Sequence, residues 1–165
     1  MEYTASVMNT LEMFYVVTGE FAYYMYSLTE KPRRAEMLLN ATEADVDALM
    51  SAVRREFEVQ PVPGGGVRIS GDCTLEVHPA SGERDMDLVA RRRCVEYGLG
   101  TLFILSPEDV MLSLLGEGRR YRKAALEFYI RWRTHFDMVY LLHQSASSGT
   151  YKALMRLQKK AARMV

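Results

Sequence analysis

The feature that most narrows the fold is the passage from residue 13 to residue 28. Met13-Phe14-Tyr15-Val16-Val17-Thr18 is a continuous apolar, β-branched and aromatic run, the composition of a strand buried on both faces. Gly19 breaks it, and Phe21, Ala22, Met25 and Leu28 then recur on one helical face. A strand that turns through glycine into a helix offers free backbone N–H groups to an anion such as a phosphate. Glu20 places an acid at the mouth of that turn. The same acid interrupts the most apolar stretch of the chain, which is too short and too polar to span a bilayer.

The rest of the chain alternates in type. A leading helix is expected over Ser6 to Glu12, and the run Met37-Leu38-Leu39 reads as a second strand. Thr42 and Asp45 form a T-x-x-D helix start, and Val46, Leu49, Met50, Val53 and Phe57 continue it as an amphipathic helix over 43–57. Val67 to Ser70 and Thr74 to Val77 alternate about the tight turn Gly71-Asp72. Met86-Asp87-Leu88-Val89 is expected to be a third strand of this meander, and Thr101 to Leu105 a further one. Ser106-Pro107-Glu108-Asp109 opens a helix with a cap, an early proline and acids suited to the dipole. Beyond it, Tyr121, Ala125, Phe128, Trp132, Phe136 and Val139 form one apolar stripe, and Tyr151, Leu154, Met155, Ala162 and Val165 another. The expected class is α/β (α+β): a mixed sheet flanked by helices, with a helical C-terminal third. Residues 1–118 would form the α/β domain, with the helices of 119–165 packed on the same core.

Composition bounds the function. A chain of 165 residues with 48% apolar and 25% charged residues suffices for one core. Cys73 and Cys94 have no C-x-x-C or metal spacing and read as reduced thiols. The first residues lack the basic segment of a signal peptide, so a cytoplasmic protein is expected. The net charge of zero hides a split. Residues 1–115 carry 10 Lys/Arg against 18 Asp/Glu, and residues 116–165 carry 11 against 3. A basic C-terminal face could meet an acidic partner or the chain's own acidic half.

Three segments in order carry a resemblance. Tyr15-Val16-Val17-Thr18-Gly19-Glu20-Phe21-Ala22, Lys31-Pro32-Arg33-Arg34-Ala35-Glu36-Met37-Leu38-Leu39, and Leu105-Ser106-Pro107-Glu108-Asp109-Val110-Met111-Leu112 resemble the small bacterial nucleotidyltransferase-fold proteins, including the toxin–antitoxin branch. The resemblance runs from Thr10 to Glu127. In active members it implies a Gly-Gly or Gly-Ser turn holding the nucleotide's phosphates, and an Asp-x-Asp pair on the next strand. A third carboxylate from a later strand completes a two-metal site for phosphoryl transfer. Carried over, Gly19 matches the first glycine and Glu20 stands at the second. Lys31-Pro32 aligns with a basic-Pro pair, which puts Ala35 and Met37 at the two metal positions, where neither can bind Mg²⁺. Glu36 lies between them, on the opposite strand face. Asp85 or Asp87 remains as the third carboxylate. A later basic-acidic motif is reduced to Arg122-Lys123-Ala124, although Glu127 persists.

Plain structural roles stand beside each of these. Glu20 suits a helix N-terminus, Asp85 and Asp87 suit a solvated surface, and Tyr15, Tyr23, Tyr24 and Tyr26 suit core packing, with base stacking as the alternative. His78, His135 and His143 share no ligand spacing, and no metal site is expected from them. No P-loop, G-x-S-x-G or H-E-x-x-H occurs. Three functions follow. The leading one is a catalytically inactive nucleotidyltransferase-like pseudoenzyme acting as a binding or regulatory component, with a protein partner or as a homo-oligomer and without a cofactor. The second is an active Mg²⁺-dependent enzyme using Glu36, Asp85 and Asp87. The third is an RNA-binding or other nucleic-acid module acting through Lys152, Arg156, Lys159, Lys160 and Arg163.

Overall fold

A computed structural model describes residues 1–27 and 29–164. Leu28 and Val165, expected on two apolar stripes, lie outside the described residues. The chain divides into two compact units, Met1–Ser106 and Pro107–Val165. The expected boundary after residue 118 falls inside the second.

The first unit runs α1 (Glu2–Thr10), β1 (Phe14–Thr18), α2 (Gly19–Ser27), β2 (Arg34–Asn40), α3 (Glu43–Val53), β3 (Glu58–Val62), β4 (Gly66–Ser70), β5 (Thr74–Pro79), α4 (Gly82–Ala90), β6 (Arg93–Tyr97) and β7 (Gly100–Ile104). Among the described residues the strands form one mixed sheet in the order β3-β4-β5-β2-β1-β7-β6. β2 pairs with β5 and β1 with β7 in parallel, and the other neighbours are antiparallel. The central position of β1 explains its unbroken apolar run: Tyr15, Val16 and Val17 are all fully buried.

β2 shows how the sheet divides its faces. Ala35, Met37 and Leu39 are buried while Glu36 and Asn40 are exposed. Ala35 lies opposite Leu75 and Met37 opposite Val77, and Val77 and Leu75 in turn face Val67 and Ile69. All of these are core residues. The period of two therefore selects one apolar face across three strands.

Several sequence expectations shift. α1 starts at Glu2 rather than Ser6. α3 has the capping box read from Thr42 and Asp45, but ends at Val53, and Phe57 beyond it packs 5.5 Å from Tyr3. The expected strand Met86–Val89 is wrong: these residues lie in α4. Four residues with apolar side chains at three positions fit either period, and the acids Glu83 and Asp85 in the first turn favour a helix start. β3 and β6, unread in the sequence, are the two edge strands, and none of their residues is buried.

The second unit comprises α5 (Pro107–Gly116), α6 (Arg122–Trp132), α7 (Met138–Ser147) and α8 (Tyr151–Ala161). The first expected stripe is split by the turn between α6 and α7. Ala125, Phe128 and Phe136 are buried, but Val139 is exposed. His135 sits in that turn, so it does not share a helix with His143. In the second stripe Leu154 is buried with Leu157 and Ala161, while Tyr151 is exposed. Two buried acids tie α5 to the start of α7. Glu108 Oε1 accepts from the Asp137 backbone N at 2.7 Å, and Tyr140 Oη donates to Asp109 Oδ1 at 2.7 Å.

Candidate functional site

The turn between β1 and α2 has the left-handed geometry that glycine permits. Gly19 has φ +62°, and a Cβ placed on it would lie 3.6 Å from Glu36 Oε2. The carboxylate of Glu36 thus stands over the turn. Glu20 is exposed in the first turn of α2, where the dipole favours an acid.

Strand register extends this point into a line. Thr18 pairs with Glu36, Glu36 with Glu76, Glu76 with Arg68, and Arg68 with Gln60. Directly paired residues share a face, so five strands present one polar row, Gln60–Arg68–Glu76–Glu36–Thr18, that ends at Gly19. Arg68 Nε and Nη2 each lie 2.9 Å from Glu76 Oε1. His78 Nε2 lies 3.7 Å from Glu76 Oε2.

This geometry places the residues singled out from the sequence. Ala35 and Met37, the positions aligned with metal-binding aspartates, point into the core, at 2% and 0% exposure. The strand face that meets Gly19 carries Glu36, with Arg34 and Leu38 two residues to either side. Glu36, Asp85 and Asp87 are not brought together as a metal cluster. Asp85 Oδ2 instead accepts from Ser81 N at 2.9 Å and from Ser81 Oγ at 3.2 Å, which fastens the start of α4. Asp87 is exposed on the same helix. Among the described residues no three His, Cys, Asp or Glu side chains could together hold a metal ion.

The residue sequence reasoning missed is Glu76. Its signal was present in the alternation Thr74-Leu75-Glu76-Val77, which puts an acid on the solvent side of a strand after the turn Gly71-Asp72. What the sequence lacked was the neighbour relation: β5 lies beside β2 across a long connection, and only topology puts Glu76 next to Glu36.

Several of the other candidates have packing roles. Tyr15 is fully buried with its ring 5.5 Å from Phe103, and burial pushes its hydroxyl pKa up to about 12. Tyr24 packs on Phe21, and Tyr26 donates to the Leu105 carbonyl at 2.7 Å. Lys31 lies over the Tyr97 ring at 5.7 Å, and a hydrogen bond it donates to Tyr97 raises its pKa above the usual lysine value. Within the triple-arginine run, Arg92 stacks on Phe14 and Phe103 and donates to the Val89 carbonyl. In the second unit Lys123 pairs with Glu127 one helical turn on, at 3.9 Å. Lys152, Arg156, Lys159, Lys160 and Arg163 are exposed along α8 and the turn after it.

The donor set does not fit the two divalent ions that the resemblance implies. Mg²⁺ takes hard oxygen donors in near-octahedral geometry, and a two-metal site needs carboxylates that bridge or flank both ions. The face beside Gly19 offers two carboxylates in register, and one is already bound by an arginine.

Comparison with protein-family models and with curated proteins finds no match. Solved structures do match. A nucleotidyltransferase-like antigenic protein from Paracoccidioides brasiliensis aligns with a TM-score of 0.57 and 16% identity, over 78% of this chain and 71% of its own. A Thermotoga maritima protein assigned as a nucleotidyltransferase aligns at 0.54 and 14% identity, over 79% and 89%. The solution structure of the antibiotic-resistance factor ANT(2″)-Ia aligns at 0.51 and 13% identity, over 99% and 91%. The chain has the nucleotidyltransferase fold. At these identities the likeness establishes the fold alone.

Proposed function

We propose that this chain is a nucleotidyltransferase-fold protein that works by binding, as a regulatory component, rather than by transferring a nucleotidyl group. The observation that carries this reading is the pairing of Glu76 with Arg68 in the polar row beside Gly19. In this reading a guanidinium supplies the positive charge that a divalent ion supplies in an active member, and Glu36 alone cannot hold two ions. The other side chains on that face of β2, Arg34 and Leu38, supply no second carboxylate. Glu20 adds negative charge at a turn that would otherwise favour phosphate. The toxin–antitoxin branch of the resemblance suggests a protein partner for such a component.

The test is calorimetric titration with Mg²⁺ and with each Mg²⁺–NTP, together with incubation in α-³²P-labelled ATP, GTP, CTP and UTP. The expected result is no saturable metal-dependent binding and no transferred label. Label transfer that Glu36→Gln abolishes would overturn the reading and identify an enzyme built on Glu36 and Glu76.

A further inference from the structure

The second unit contains a cavity of about 300 Å³ lined by α5, the turn after it, α6 and α8. Leu114, Leu126, Ala153 and Leu157 make its walls apolar. Three cations also line it: Arg122 at the start of α6, and Arg156 with Lys160, one turn apart on α8. All three are exposed, and among the described residues none makes a salt bridge. The lining includes no Asp or Glu. The segment that builds most of it, residues 116–165, carries 11 Lys/Arg against 3 Asp/Glu.

These features select a ligand chemistry. The volume is at the lower end of ligand pockets, roughly 300–1,000 Å³, which fits a small molecule rather than several turns of a helix. Leucine walls gain from burying an apolar body. Three cations with no carboxylate to neutralise them favour an anionic head at the mouth. A nucleic acid is disfavoured, because no aromatic ring lines the cavity to stack a base.

We infer that this cavity binds a small amphiphilic anion of the aryl or short acyl carboxylate class. The apolar part lies against Leu114, Leu126 and Leu157, and the carboxylate is held by Arg122, Arg156 and Lys160. The inference does not depend on the reading of the Gly19 face.

The test is calorimetric titration of the full chain with 2-naphthoate, 2-naphthylmethanol and 2-naphthylmethylamine, which share a body and differ in charge. Naphthoate should bind at one site, the alcohol at least about tenfold more weakly, and the amine not at all. The double variant R156Q/K160Q changes only exposed side chains. It should keep the circular-dichroism spectrum and weaken naphthoate by at least about tenfold. Ala153→Trp, which fills the cavity, should abolish binding, and the double variant decides the matter if that protein does not fold. Equal affinity for acid and alcohol, indifference to R156Q/K160Q, or no saturable naphthoate binding would each overturn the inference. So would a gel shift with tRNA that R156Q/K160Q abolishes while naphthoate stays silent, since the cations would then serve a nucleic acid.

Discussion

On the sheet of the first unit, Glu36 and Glu76 stand side by side on a polar face, and the nearest cation, Arg68, is itself partly in solvent. On α5 of the second unit, Glu108 and Asp109 are 3% and 4% exposed, each engaged by a hydrogen bond from the start of α7. The contrast separates two reasons for an acid to be where it is. A buried carboxylate costs several kcal/mol unless it is satisfied. Asp109 and the Oε1 of Glu108 are explained by the architecture they join, while Oε2 of Glu108 is buried with no hydrogen-bond partner among the described residues. A carboxylate on an open sheet face is not needed for folding. A row of such groups leading to a left-handed glycine turn is the arrangement to examine for binding.

The sharpest way to break this distinction is to put acids on the wrong face. Ala35→Asp with Met37→Asp would rebuild the Asp-x-Asp pattern in sequence, yet both side chains point into the core. Each should cost roughly 3 kcal/mol or more, and the double variant should not fold cooperatively in a denaturant titration. Arg34→Asp, on the exposed face of the same strand, should change stability by less than about 0.5 kcal/mol. If the core pair is tolerated and Arg34→Asp is not, the assignment of faces on β2 is reversed.

That experiment also marks where reading the sequence succeeded and stopped. The strand, glycine and helix at residues 14–27 were legible because each has a local cause: a buried apolar run, a left-handed turn, a helical stripe. So was the start of α3, whose capping box is entirely local, and the β4–β5 pairing about Gly71 and Asp72. Met86 to Val89 was misread because a four-residue window cannot separate period 2 from period 3.6. β3 and β6 were missed because edge strands bury little and so lack an apolar pattern. The site was half legible. Alternation separated Glu36 from Ala35 and Met37, but only the parallel β2–β5 pairing, which spans α3, β3 and β4, could add Glu76.

A smaller effect tests the buried acids. Glu108→Ala removes the acceptor for the Asp137 backbone N, and leaving that donor unpaired should cost about 1–3 kcal/mol. Glu108→Gln keeps a carbonyl acceptor in place and should cost less. Equal losses would mean that the charge of Glu108 matters, not its hydrogen bond. Chemical denaturation of the two variants side by side gives the answer.

Asp45 is the intermediate case, a half-buried acid with a local structural role. Its carboxylate accepts from Thr42 N at 2.7 Å and from Thr42 Oγ1 at 2.8 Å, and the backbone bond first, then the hydroxyl, hold its pKa below the usual aspartate value. Thr42→Ala should cost about 1 kcal/mol at neutral pH through the lost cap. Because the folded pKa is depressed, the contribution of Asp45 is present above the unfolded value and lost as pH falls through the folded one. The stability gap between wild type and Asp45→Ala should therefore close in acid. A gap that persists below the folded pKa would assign the effect to packing.

A small expected change in stability is the most informative about the site. The Arg68–Glu76 pair is partly solvent-exposed, with side chains 44% and 24% accessible, so Arg68→Ala should cost less than about 1 kcal/mol. Its electrostatic consequence is larger than its stability cost. Without the guanidinium, Glu76 and Glu36 face each other as like charges on adjacent strands, an arrangement that is itself unfavourable and that a divalent ion would relieve. Mg²⁺ should then raise the melting temperature of Arg68→Ala while leaving wild type unmoved, and Arg68→Ala/Glu36→Gln should lose that response. A wild type stabilised by Mg²⁺ to the same extent would show that Arg68 does not stand in for the metal. The polar row would then have to be regarded as a working cation site.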